Sequence, residues 1–385
     1  MLAIHFGGGN IGRGFIGEVL HNNDFQIAFV DINEEIINAL NEFGEYTIEF
    51  AEEGKKRIKI DNVYGINNQK NPHTVVEKIA RADLITTAIG PKVLPYIAPL
   101  IAKGIQKRKK IGKLEPIDVI VCENMIGGGT FLKSEVVKHL SEEDVLYMER
   151  YTGFPNCAVD RIVPLQLHED KLFVSVEPYK EWVVSEPELK NKHIKLEGVS
   201  YVPDLAPFIE RKLFTANTGH ATIAYTGKYK GYKTIAEALM DSEIKEQVIK
   251  VLSETGTLMA EKWGFNRDEH DRYIEKVLSR FMNPYISDNI SRVARSPIRK
   301  LGYKERFIQP IRETEERNIS NEALIQTVAK ILIYNDPEDK ESQSLVQLIE
   351  LKPIEEVVRE VTGLTDQVLI DRIIEEYGKL FRKDV

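Results

Sequence analysis

Residues 5–17 read His5-Phe6-Gly7-Gly8-Gly9-Asn10-Ile11-Gly12-Arg13-Gly14-Phe15-Ile16-Gly17. The stretch leaves a short apolar run, residues 1–6, and opens a helical pattern that continues to Leu20. A second apolar run, residues 26–30, ends at Asp31, about 20 residues beyond Gly12. Strand, glycine turn, helix and strand at this length make one βαβ unit. The glycines have separate tasks. Gly7 permits the tight turn, Gly9 lets a pyrophosphate approach the backbone, and Gly12 lets helix and strand pack closely. The helix N-terminus then offers unpaired N–H donors and a positive dipole end to an anion. Asp31 is placed to accept hydrogen bonds from ribose hydroxyls. Its carboxylate repels a 2′-phosphate, and Ile32-Asn33 supplies no Arg to offset that, so NAD is expected over NADP.

Outward from this turn the alternation continues. Residues 34–43 are helical, 82–88 strand-like and 93–104 helical, and 117–122 is an apolar, β-branched run suited to a buried parallel strand. Residues 45–64 alternate apolar and polar, which predicts an inserted hairpin, and 172–184 reads as added strand structure. Beyond about residue 190 the patterns turn helical: 212–225, 234–240, 242–263, 269–281, 321–333 and 353–362. The expected architecture is α/β. A Rossmann-type dinucleotide-binding domain with added strands spans 1–190, and a mostly α-helical substrate domain spans 191–385.

Composition narrows the function. The 385 residues carry 52 Lys+Arg against 60 Asp+Glu, a net charge of −8, which argues against nucleic acid as a partner. The basic run Lys107-Arg108-Lys109-Lys110 reads as a solvated helix end. No apolar run reaches the roughly 18 residues of a membrane span, and the glycine turn begins too early for a signal peptide. Cys122 and Cys157 are the only cysteines, fit for buried reduced thiols, and a cytoplasmic protein is expected. HExxH and paired-cysteine patterns are lacking, so no metal site is expected. Asp268-Glu269-His270-Asp271 reads as the acidic start of a helix.

Lys212, Asn217 and His220 form a candidate reaction centre. At about 100° per residue of α-helix, His220 lies roughly 80° and Asn217 roughly 140° from Lys212, close enough to converge on one site. A Lys with a lowered pKa can take the hydroxyl proton during alcohol oxidation, and an amide can donate to the developing alkoxide. Asn124 follows the strand at 117–122, where ligands of open α/β sheets bind, and offers a second amide. Arg292, Arg295, Arg299 and Lys300 form a basic stretch that a phosphate would explain.

The 5–17 stretch resembles the opening of the mannitol-1-phosphate 5-dehydrogenase branch of the polyol-specific long-chain dehydrogenases. Further matches follow in the same order: Thr86-Thr87-Ala88-Ile89-Gly90-Pro91, Cys122-Glu123-Asn124-Met125, Ala158-Val159-Asp160-Arg161-Ile162-Val163-Pro164, residues 211–220 and Arg280-Phe281-Met282-Asn283-Pro284-Tyr285. The resemblance implies a metal-independent NAD enzyme that interconverts D-mannitol 1-phosphate and D-fructose 6-phosphate across a cleft between two domains. It implies Lys212 as general acid/base, Asn217 and Asn124 as an oxyanion hole, and His220 as the holder of a substrate hydroxyl. Asp160, Arg292 and Lys300 are implied on the substrate. Gly7, Gly9, Asn10, Ile11, Gly12, Asp31 and Thr87 are implied on the cofactor. A monomer or homodimer is expected. The rivals are a related polyol or hexuronate dehydrogenase and a non-catalytic NAD(H) sensor.

Overall fold

A computed structural model describes residues 1–164 and 166–381. The chain forms two compact units, Met1–Phe208 and Ile209–Val385. The first unit contains the strands β1 (Leu2–Phe6), β2 (Gln26–Asp31), β3 (Tyr46–Phe50), β4 (Arg57–Ile60), β5 (Val63–Asn67), β6 (Leu84–Thr87), β7 (Ile117–Val121), β8 (Thr152–Gly153), β9 (Cys157–Asp160), β10 (Val174–Val176), β11 (Glu181–Ser185) and β12 (Ser200–Val202).

The main sheet has the order β5-β2-β1-β6-β7-β8, with parallel pairing throughout. Both faces are buried. Ala3, Ile27 and Phe29 pack on one side, together with Phe15, Ile16, Val19 and Leu20 of the segment after the glycine turn. Ile4, Phe6, Ala28 and Val30 pack on the other, against Val75, Ile79, Ile97 and Ile101. Side chains alternate along a strand and here each side meets a core, so the strand sequences are continuous apolar runs.

Two expected elements take a different form. The alternating stretch at 45–64 holds the expected hairpin, but its last residues pass into a further strand. β3 and β4 pair antiparallel, but Val63–Asn67 leaves them and becomes the edge strand of the main sheet beside β2. The stretch at 172–184 also divides. β10 adds to β3 in parallel, while β11 pairs antiparallel with β9 and parallel with β12. Both small sheets send apolar residues, Tyr46, Ile48, Val174 and Trp182 among them, onto the core that holds Phe15. The basic run at 107–110 does close the helix Leu94–Lys110, but Arg108 turns inward. It donates to the carbonyls of Ala82 (2.9 Å) and Glu115 (2.9 Å) and is buried. Burial there is tolerable because backbone carbonyls replace water.

The second unit is helical. Thr218–Tyr229 is its centre, with Ala221, Ile223, Ala224 and Tyr225 buried, and Ser242–Trp263, Ile290–Ala294 and Glu322–Leu332 pack around it. Local chemistry marks the helix starts. Thr234 and Glu237 form a reciprocal capping box, and Asp241 and Asn266 cap the next two helices through their side-chain oxygens. Asp268 and Glu269 lie in the first turn of Arg267–Phe281, where the helix dipole favours acids. Arg292 lies on Ile290–Ala294, and Lys300 ends the short helix Pro297–Lys300.

Candidate active site

The glycine turn leaves β1 at Gly7, whose φ of +113° suits only glycine. A Cβ there would lie 2.4 Å from the Ala88 carbonyl oxygen, and one on Gly12 would lie 2.0 Å from the Gly7 carbonyl oxygen and 2.6 Å from His5 Nε2. A Cβ on Gly9 would meet nothing within 4 Å. Two glycines are thus demanded by the protein itself, and the middle one faces open space. Asp31 ties the turn to the end of β2: Oδ2 accepts Gly8 N–H (2.6 Å) and Oδ1 accepts Asn33 N–H (2.9 Å). A carboxylate has about four acceptor positions, so capacity for ribose hydroxyls remains.

The helical segment after the turn opens at Asn10 and Ile11, passes through π register at Gly12–Gly17 and is α-helical again from Glu18. Arg13 is buried behind the turn. Its guanidinium donates to the carbonyls of Gly8, Leu172 (3.3 Å) and Lys171 (3.2 Å), and to Asn10 Oδ1 (3.4 Å). These bonds hold the turn from beneath. Ile11 is exposed above it.

Thr87 ends β6 and donates to Glu123 Oε1 (3.0 Å). The same carboxylate accepts Ile89 N–H (2.9 Å) and Gly90 N–H (2.8 Å). No local pattern marks Glu123 for a role, yet it clamps the loop after β6 to the end of β7. Its neighbour Asn124 is exposed at the carboxyl end of β7, and Asp160 ends β9. Beside Asp160, Arg161 is buried against Glu18, with further donation to Gly14 O (2.9 Å) and Glu177 O (2.9 Å).

In the second unit the residues 212–220 do not form the uniform α-helix assumed for their angles. Lys212–Asn217 is a π-turn between the α-helical segments Ala206–Arg211 and Thr218–Tyr229. A π-turn bonds residue i to i+5, so positions five apart lie closer in angle than the roughly 140° of an α-helix. Burial agrees: Phe214, Thr215, Ala216, Thr218 and Gly219 are buried, whereas Lys212, Asn217 and His220 are partly accessible. Thr218 Oγ1 braces the turn at Leu213 O (2.9 Å) and Arg306 O (2.8 Å).

His220 stacks on Phe281, with centroids 4.5 Å apart and planes at 15°. Its Nε2 lies 2.7 Å from Asp288 Oδ2, off the line of a straight hydrogen bond. Asp288 Oδ1 accepts Arg292 Nε (2.8 Å) and lies 2.6 Å from Nη2 in an ion pair. Burial pushes the imidazole below its usual pKa despite Asp288. Burial works the other way on the Asp288 carboxyl, but His220 and Arg292 outweigh it and hold the group below the carboxylate range. Sequence reading missed Asp288, which no local motif marks. Lys300 Nζ is buried and donates to the carbonyls of Val293 (2.7 Å) and Arg295, above the Tyr225 ring. Burial, then the charges of Arg306 and Arg299, push its ammonium down to about 7. The structure therefore puts Lys212 and Asn217 at the two ends of one π-turn and His220 on the helix that follows it, with Arg292 linked to His220 through Asp288. Among the described residues, no group of three or more His, Cys, Asp or Glu side chains is placed to hold a metal ion. Cys122 and Cys157 are buried and free.

A parallel sheet in this order, with a glycine turn after its central β1 and an acid ending β2, defines a dinucleotide-binding oxidoreductase fold joined to a helical unit. Residues 1–198 match the mannitol dehydrogenase Rossmann domain, and residues 204–381 match the mannitol dehydrogenase C-terminal domain. The chain belongs to the mannitol dehydrogenase family. It is 55% identical, over 98% of both chains, to a protein of Lactiplantibacillus plantarum named mannitol-1-phosphate 5-dehydrogenase. Proteins of that name from Streptococcus mutans (56%, 97% of each chain) and Enterococcus faecalis (54%, 98% of this chain and 99% of the other) are also similar. The fold is shared with a solved D-sorbitol dehydrogenase in substrate-free form, TM-score 0.83 at 17% identity, covering 99% of this chain and 93% of that one. It is shared also with Pseudomonas fluorescens mannitol 2-dehydrogenase, solved with NAD and D-mannitol, TM-score 0.77 at 17% identity, covering 98% and 91%. No helix among the described residues is long and apolar enough to cross a membrane.

Proposed function

We propose that this chain is an NAD-dependent, metal-independent oxidoreductase that interconverts D-mannitol 1-phosphate and D-fructose 6-phosphate. The observation that carries the substrate is the 54–56% identity, along nearly the whole chain, to proteins named mannitol-1-phosphate 5-dehydrogenase. The π-turn that carries Lys212 and Asn217 at its two ends supports the reaction class. The glycine turn fits NAD. The open space above Gly9 suits a pyrophosphate, the adjoining N–H groups of Asn10 and Ile11 suit its oxygens, and Asp31 suits unphosphorylated ribose hydroxyls. Gly7, Gly12 and Thr87 shape this site through the backbone and through Glu123. The chemistry that NAD(H) would supply at this site is hydride acceptance or donation.

Lys212 takes the proton of the reacting hydroxyl during oxidation and returns it during reduction. Asn217 and Asn124 donate amide N–H groups to the oxygen as its charge grows, which favours the transition state over the ground state. His220 holds a neighbouring substrate hydroxyl, and Asp160 either binds a hydroxyl or tunes Lys212. Arg292 spends Nε and Nη2 on Asp288, which leaves Nη1 for the substrate phosphate, and Lys300 retains a third N–H beyond its two carbonyls. A phosphorylated substrate and two free cysteines fit a reducing, cytoplasmic setting.

NADH absorbance, followed in EDTA with fructose 6-phosphate, fructose and a hexuronate, tests the reading. Rapid oxidation with fructose 6-phosphate alone is expected. Turnover of fructose or a hexuronate instead moves the substrate to related enzymes of the family, and NADH binding without turnover of any of the three overturns the enzymatic reading.

A further inference from the structure

We propose that Asp288 is a positioning residue of this site: it fixes His220 as a neutral imidazole protonated on Nε2, so that Nδ1 is offered to the substrate as a hydrogen-bond acceptor. The proposal rests on the dehydrogenase reading for its substrate and on geometry for its chemistry.

The geometry begins with the backbone around Asp288. Ile235 N–H donates to Asp288 O (2.9 Å), Ile290 N–H donates to Lys233 O (2.9 Å), and Asn289 bridges Thr234. The segment 288–290 is thus stitched to 233–235, and the carboxylate projects from a fixed base. Asp288 is only 6% exposed. Its two oxygens have different partners. Oδ1 accepts Arg292 Nε and lies 2.6 Å from Nη2, and Oδ2 faces His220 Nε2 in ion-pair contact at 2.7 Å, off the line of a straight hydrogen bond. An ionised carboxylate accepts and never donates. The ring nitrogen it faces must carry the proton, and in a neutral ring the other nitrogen keeps its lone pair.

The surroundings keep the ring neutral. Arg292 stands on the far side of Asp288, and Arg280 on the helix Arg267–Phe281 adds a second positive charge near His220. Burial, with these cations, outweighs the pull of Asp288 and opposes an imidazolium, while the charge of Arg292 favours an ionised Asp288. Phe281 stacks along the ring and restricts its rotation. A substrate hydroxyl must then donate to Nδ1, so its own oxygen lone pairs turn elsewhere. This fixes how one hydroxyl of the polyol chain is oriented, and with it how the neighbouring reacting carbon is presented.

The isosteric variant Asp288→Asn reverses the logic. Arg292 retains the amide oxygen, so the amide N–H₂ turns to Nε2, and the ring proton moves to Nδ1. Two measurements test this. Nitrogen-15 NMR of histidine-labelled protein reads the tautomer directly, with His220 identified among the eight histidines by its loss in His220→Asn. The wild type is expected in the Nε2–H form and Asp288→Asn in the Nδ1–H form. Steady-state kinetics of Asp288→Asn should show the fructose 6-phosphate KM raised roughly 10- to 100-fold, as for a polar group left mispaired, with the NADH Kd unchanged. A merely structural role would lower the melting temperature without reversing the tautomer. An Nδ1–H or imidazolium His220 in the wild type overturns the proposal even if the variant does not fold. An unchanged tautomer in a folded Asp288→Asn also overturns it. The wild-type spectrum needs no turnover, so absence of fructose 6-phosphate activity would strike the functional reading alone.

Discussion

The two π-turns, Gly12–Gly17 and Lys212–Asn217, use one backbone device for opposite ends. In each, the carbonyl of the second residue accepts a side-chain hydroxyl: Tyr46 Oη donates to Arg13 O (2.8 Å), and Thr218 Oγ1 donates to Leu213 O (2.9 Å). The first turn, Gly-Arg-Gly-Phe-Ile-Gly, is buried from end to end and serves by what its glycines lack. The second, Lys-Leu-Phe-Thr-Ala-Asn, buries its middle and leaves its two ends accessible. The wider register packs a backbone closely in one unit and, in the proposed mechanism, turns Lys212 and Asn217 toward one substrate in the other. A π-turn marks a site; its side chains decide what the site does.

The contrast can be broken by substitution. If the second turn works through its side chains, Lys212→Ala should keep the fold and the NADH affinity while kcat falls about 10³-fold, the usual loss for an acid/base group. NADH fluorescence titration beside turnover checks this. If the first turn works through missing side chains, Gly12→Ala should damage the fold itself. Its Cβ would collide with the Gly7 carbonyl and His5, at a cost of about 3 kcal/mol in urea unfolding. Gly9→Ala sharpens the point within one motif. Its Cβ meets no protein atom, so stability should hold, while NADH affinity should drop about tenfold, or about 1.4 kcal/mol, in titration.

The smallest effect concerns the packing beneath the second turn. His270 is buried with neither ring nitrogen hydrogen-bonded, and burial, then the charges of Arg211 and Arg267, push its pKa down to about 4. An unfolded His titrates near 6.5, so the unfolded chain binds the extra proton between those values and stability falls as pH drops through that window. His270→Leu should remove this slope. Relative to wild type it should gain on the order of 1 kcal/mol at about pH 5 over its value at about pH 7.5, read by urea melts at both.

What the sequence made legible depended on how locally each feature is determined. The glycine turn and Asp31 were readable because turn sterics and ribose chemistry act within one βαβ unit. The helix Ser242–Trp263 was readable to its ends because Asp241 caps it and Gly264 closes it in the left-handed region. The π registers were not, since Tyr46 and Thr218 brace them from outside the turn. Val63–Asn67 alternates as well as the hairpin before it, and only its pairing with β2 assigns it to the main sheet. Within the site, Lys212, Asn217 and His220 stood together in the sequence. Asp288 lies on a distant segment, and only folding brings it to His220.

Glu123 carries a last consequence. One carboxylate holds Thr87, Ile89 and Gly90 with three hydrogen bonds made wholly within the chain. The conformational entropy of that wall is lost when the chain folds rather than when a dinucleotide arrives. Preorganisation of this kind raises affinity by lowering the ordering cost of association. The amide hydrogens of Ile89 and Gly90 belong to a surface loop, yet they should exchange with solvent at the slow rates of the sheet rather than those of a lid.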